Sequence, residues 1–67
     1  MDKLATRIGK NISKARRARK LTSEKLAYEN GVSKGYLSDI ENGKKRPSLK
    51  MLEKLAKVLG VDISAFF

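Results

Sequence analysis

Leu4, Ile8, Ile12 and Ala15 fall at steps of four, four and three, the spacing of one apolar stripe along a helix. Asp2 stands ahead of that stripe as an N-cap, and the helix is expected to end near Lys20. Gly9 lies inside it, at a cost of up to about 1 kcal/mol against Ala, where a small residue allows close packing. Thr22 is the next N-cap, with Glu24 in the first turn favouring the helix dipole and Leu26 and Ala27 directed inward. Asn30-Gly31 ends this second helix, and Ser33 caps a third after only Gly31-Val32. Leu37 and Ile40 are the apolar positions of the third helix, which closes at Asn42-Gly43. Lys44-Lys45-Arg46-Pro47 reads as a basic loop, with Pro47 biasing Arg46 towards extended geometry. Ser48 caps a fourth helix with Leu49, Leu52, Leu55, Ala56 and Leu59 inward, and Gly60 ends it. Asp62 caps a last short turn carrying Ile63 and Phe66. There is no strand alternation and no internal repeat. The expected fold is all-α, five short helices forming one domain over residues 1–67.

Composition narrows what such a domain can do. A 67-residue chain hides only about 60% of its unfolded surface, so its core is small and association with another chain is a natural remedy. The chain has no Cys and no His. Disulfides, a thiolate nucleophile, the commonest general base and the usual zinc ligands are therefore missing. Neither an enzyme nor a metal or other cofactor is expected. The lack of Cys fits a reducing cytoplasmic setting, and no apolar run approaches the roughly 18 residues of a membrane span.

Charge points to a partner. Sixteen Lys and Arg stand against seven Asp and Glu, a formal net charge of +9, which suits a polyanion. Residues 1–22 carry eight cations against Asp2 alone, residues 23–43 are slightly acidic, and residues 44–67 are basic again. A near-neutral middle thus lies between two basic flanks.

That middle holds the informative pattern. Leu26, Ala27, Gly31, Val32, Leu37 and Ile40 have the spacing of a helix-turn-helix, with small Ala27 allowing a close crossing and Gly31 permitting a positive φ. The strings LTSEKLA (21–27), NGVSKGYLSDIENGKKRPS (30–48) and LEKLAKVLGVDISAFF (52–67) resemble the helix-turn-helix domain of phage Cro and repressor proteins and the wider XRE family of bacterial regulators. The resemblance covers nearly the whole chain. Three positions depart from it: Ser23 stands where Gln is frequent, Gly35 where a base-reading side chain is common, and Asn30 where the residue is usually apolar. Asn30 is therefore expected to cap its helix or face solvent.

At 100° per residue, burial of Leu37 and Ile40 leaves Gly35, Ser38, Asp39 and Asn42 outward, flanked by Lys34 and Tyr36. The resemblance implies a lambda-repressor-like fold in which this face enters the major groove of double-stranded DNA. Lys34, Gly35, Ser38 and Asp39 are then the base-reading candidates. Asp39 suits a cytosine amino group, and Lys34 suits guanine or phosphate. Thr22 and Ser23, at a helix N-terminus, and Tyr36, Asn42, Lys44, Lys45 and Arg46 are the phosphate-binding candidates. Arg7, Lys10, Lys14, Arg17 and Arg19 are expected at least to steer association. Arg16 and Glu41 match a family ion pair that holds the reading helix in place. A homodimer on a palindromic operator is expected, with Val58, Val61 and Phe67 at its interface and Met51 extending the patch. The alternative is an antitoxin-type module that neutralises a co-encoded toxin.

Overall fold

Every helix begins at a short side chain that accepts a hydrogen bond from the backbone ahead of it. In the computed structural model, which describes residues 2–67, Asp2 Oδ1 accepts from the N–H groups of Leu4 and Ala5, at 3.0 and 3.1 Å. Thr22, Ser33 and Ser48 accept from Lys25, Tyr36 and Met51 in the same way. These caps satisfy N–H groups that a helix start leaves unpaired. They open α1 (Lys3–Ala18), α2 (Ser23–Glu29), α3 (Lys34–Glu41) and α4 (Leu49–Leu59). The fifth expected helix is a single 3-10 turn, Ile63–Phe66, whose cap Asp62 accepts from Ser64. Four residues are too few for a full α-helical turn to propagate.

The elements meet around one core. Ile8 and Ile12 of α1, Leu26 and Ala27 of α2, Leu37 and Ile40 of α3, Leu52, Leu55, Ala56 and Leu59 of α4, and Phe66 of the 3-10 turn are buried together. The turn between α2 and α3 closes through Gly31, whose φ of 67° lies in the left-handed region that other residues resist. Gly9 serves a different end. The backbone of α3 crosses so near that a Cβ there would sit 2.7 Å from the carbonyl oxygen of Glu41.

Several sequence expectations shift in the structure. Leu4 is 42% exposed and Ala5 is buried in its place. The close crossing at Gly9 rotates the buried arc of α1 towards Ala5 and away from Leu4. Leu49, the first residue of α4, stands past the edge of the core and is 65% exposed. α1 stops at Ala18, short of Lys20, and Lys20 itself takes a positive φ of 57°. Asn30 caps α2 but is buried, not turned to solvent. Its Nδ2 donates to Leu26 O at 2.8 Å, and its Oδ1 is buried without a partner.

Side chains also tie the helix ends together. Arg19 Nη1 donates to Leu59 O at the end of α4, Asn11 Nδ2 donates to Phe66 O, and Lys54 Nζ donates to Asn30 O. Each satisfies a carbonyl that a helix terminus would otherwise leave open. Among the described residues, no helix is long and apolar enough to cross a membrane.

Candidate nucleic-acid interface

α3 owes its position to its buried side. Leu37 and Ile40 are almost fully enclosed, so the opposite side faces out. Lys34, Gly35 and Asn42 are exposed there, Ser38 and Asp39 are half-buried, and Asn42 Nδ2 donates to Ser38 Oγ at 3.3 Å. Gly35 borders open space, where a Cβ would meet nothing from the rest of the chain within 4 Å. Its role in the structure is thus not to relieve a clash.

The charged members of this face are held in place by neighbours. Lys34 Nζ lies 3.4 Å from Glu24 Oε2, which joins the first turns of α3 and α2. The Glu24 carboxyl is held below its ordinary value by its own backbone N–H and then by Lys34. Asp39 Oδ2 lies 3.6 Å from Lys45 Nζ, and the same ammonium is 5.3 Å from the centre of the Tyr36 ring. The N–H groups of Lys44 and Lys45 both donate to Asp39 O, folding the basic loop back onto the end of α3. Tyr36 is half-buried and packs against the core. All these pairs are solvated, and each contributes little to stability.

Thr22 and Ser23 stand at the start of α2, with the Thr22 hydroxyl already accepting from Lys25. Lys44 is exposed, and Arg46 pairs with Asp2 across the chain. The Asp2 carboxyl is held below its ordinary value, mainly by the Ala5 N–H and also by Arg46. The two phosphate-binding candidate groups thus come from different helix ends and flank α3.

Arg16 and Glu41 differ from these surface pairs. Arg16 Nε and Nη2 donate to the two Glu41 oxygens at 2.8 and 3.1 Å, and Nη1 donates to Leu21 O at 2.8 Å. Both side chains are close to nine-tenths buried. The pair fixes the end of α3 to α1 and to the segment entering α2. Arg19 is also structural: its guanidinium lies on the end of α4, an assignment that its sequence position does not signal. Of the expected interface residues, Phe67 is 46% exposed, whereas Val58, Val61 and Met51 are half-buried against the core. Val61 is therefore not the freely exposed side chain that helical spacing suggested. Its N–H donates to Ala56 O beyond the end of α4, which turns the side chain back onto the core.

Comparison with known proteins places this geometry in a family. Residues 12–66 match the helix-turn-helix family HTH_3. The immunity repressor protein of Bacillus phage phi105 is 43% identical over 58 residues, which are 87% of this chain and 40% of that protein. The chain therefore spans less than half of the repressor. The control protein C.MunI of a Mycoplasma species is 35% identical over the whole chain and 92% of its own length. Among solved structures, the restriction-modification controller protein C.AhdI from Aeromonas hydrophila superposes with a TM-score of 0.88. The two are 28% identical, over 94% of this chain and 96% of that one. The biofilm regulator SinR, solved in complex with DNA, superposes with a TM-score of 0.82 at 37% identity, over 88% of this chain and 95% of that one. The chain belongs to the helix-turn-helix family that includes phage repressors and restriction-modification controller proteins.

Proposed function

We propose that this chain is a non-enzymatic, sequence-specific regulator of transcription that acts in the cytoplasm by binding double-stranded DNA. The observation that carries the proposal is the outward face of α3, polar from Lys34 to Asn42 and flanked by helix-end and basic-loop donors. In this reading α3 enters the major groove. Lys34, Ser38 and Asp39 read base edges, and Gly35 lets the backbone approach. Thr22, Ser23, Tyr36, Asn42, Lys44, Lys45 and Arg46 hold phosphates and set the register. Lys34, Lys45 and Arg46 exchange a protein carboxylate for DNA as they do so. The repressor and controller relatives, and SinR solved with DNA, favour this role over that of a toxin-neutralising module.

One such face spans only a few base pairs, too few to single out a site among the competing sequences of a genome. The working species is accordingly a homodimer on a palindrome with half-sites about 34–36 Å apart. Phe67, together with the half-buried Val58 and Val61, is the proposed contact. A gel shift on DNA upstream of the protein's own reading frame, with excess unrelated duplex, tests the DNA reading. A band that survives competition supports it, and release in proportion to total competitor refutes it. Sedimentation equilibrium of Phe67→Glu against the parent tests the dimer, since the substitution places a charge on an already exposed position. A parent that stays monomeric with and without DNA ends the dimer proposal.

A further inference from the structure

The longest helix carries a row of charge that the reading face does not use. Lys3, Arg7, Lys10, Lys14 and Arg17 recur along α1 at steps of four, three, four and three. At 100° and 1.5 Å per residue they fill an arc of about 80° along about 21 Å. The arc is opposite to the one that buries Ala5, Ile8 and Ile12. Like charges at this spacing repel and weaken a helix. Among the described residues none of the five has a carboxylate within ion-pair distance, whereas Arg16, Lys25, Lys34, Lys45 and Arg46 each have one. The row is an uncompensated electrostatic strain in the free chain, of the kind a polyanion relieves.

One edge of the row faces the end of α3. Lys10 and Arg17, with Thr6 and Ser13, line a surface groove of about 350 Å³ whose other wall is Glu41 and Asn42 at the end of α3. Both Glu41 oxygens are engaged by Arg16, so the groove presents no free acid. Asn42 hydrogen-bonds Ser38, which makes the groove continuous with the outward face of α3. Arg7 and Lys14 lie on the far edge of the row, outside the groove.

We infer that this groove between α1 and the end of α3 seats the sugar-phosphate backbone of the bound duplex beyond the bases read by α3, with Lys10 and Arg17 each contacting a phosphate. The inference rests on the DNA reading above. It assigns to α1 a contact role, where charge alone implied only steering. Ser13 adds a hydroxyl to the lining of the groove, and Asn42 marks the edge at which the backbone leaves the major groove.

The test compares two double variants that remove equal charge from the same helix. Lys10→Ala/Arg17→Ala empties the groove, and Arg7→Ala/Lys14→Ala empties the far edge. Affinity for a fluorescein-labelled duplex carrying the sequence selected by the parent from random DNA is measured by anisotropy between 50 and 200 mM KCl. Circular dichroism melts accompany each variant. Two lost phosphate contacts reduce the slope of log K against log salt by about 1.8 for the groove variant. The far-edge variant, which loses steering charge but no phosphate contact, stays closer to the parental slope than the groove variant does. Equal slopes for the two variants, whether both fall or both hold, overturn the groove while leaving the DNA reading intact. A parent that binds no duplex at all overturns both.

Discussion

Gly9→Ala is a substitution whose sign separates helix propensity from packing. Inside a helix, Gly is about 1 kcal/mol worse than Ala, so propensity alone expects stabilisation of that size. The structure expects the reverse. A Cβ at Gly9 would approach Glu41 O to 2.7 Å and Glu41 C to 2.9 Å, with the carbonyl oxygen of Ile40 nearer still. These are backbone atoms and cannot rotate away. The segment is also anchored by the two hydrogen bonds from Arg16 to Glu41, so relief requires α1 and α3 to move apart. Overpacking of this kind costs about 1–3 kcal/mol, and the rigid neighbours place it near the upper end. After the propensity gain, a net loss of about 2 kcal/mol remains. At about 4–8 °C per kcal/mol for a domain of this size, the melting temperature falls by roughly 8–16 °C. Gly35→Ala is the control, because its Cβ would meet nothing within 4 Å. It should gain about 0.5–1 kcal/mol from propensity. Thermal melts of both variants by circular dichroism give the answer. A Gly9→Ala protein that melts at or above the parent refutes the close-crossing argument.

Three further outcomes are expected. Glu41→Ala leaves the largely buried Arg16 guanidinium without its carboxylate and should cost about 3 kcal/mol, seen as a fall of at least about 12 °C in the melt; a loss of only a few degrees would show that water screens the pair. Asn30→Leu removes a buried, unpartnered Oδ1 at the loss of one hydrogen bond to a carbonyl that the Asn30 N–H also serves, so urea unfolding should show a gain of about 1 kcal/mol. Unchanged or lower stability would mean that the amide is satisfied. Stability against pH should be flat between about pH 5 and 8, since the chain lacks His. Asp2, Glu24 and Asp62 all have lowered folded values, so their contribution is full above the ordinary carboxylate values of 4.5 for Glu24 and 3.8 for the two Asp. It is lost as pH falls through the lower folded ones. Melts that already weaken near neutral pH would contradict this assignment.

The caps were the most legible feature of the sequence. Asp2, Thr22, Ser33, Ser48 and Asp62 each start an element because a cap is a local interaction between a side chain and the next few N–H groups. The phase of the apolar stripes was less legible at their ends. Leu4 and Leu49 have apolar spacing but lie where the neighbouring helix does not reach, and only the crossing at Gly9 decides that Ala5 is inside. Arg19 and Lys54 look like free surface cations in the sequence. Their carbonyl partners, Leu59 and Asn30, lie 40 and 24 residues away, a separation that no local pattern encodes. The polar face of α3 followed from the two buried positions Leu37 and Ile40. The ion pairs that hold Lys34 and Asp39 did not, because they depend on how α2 and the basic loop return to that face.

Base reading by α3 is tested by a parallel selection from random duplex DNA with the parent, Asp39→Ala and Lys44→Ala. Lys44 is the appropriate phosphate control, since Lys45 is engaged with Asp39 and Lys44 has no carboxylate within ion-pair distance among the described residues. The parent should recover a defined palindromic sequence, Asp39→Ala a different one, and Lys44→Ala the parental sequence with uniformly weaker binding. Recovery of no preferred sequence by the parent, or of the same sequence by the parent and Asp39→Ala, would contradict base reading by this face of α3.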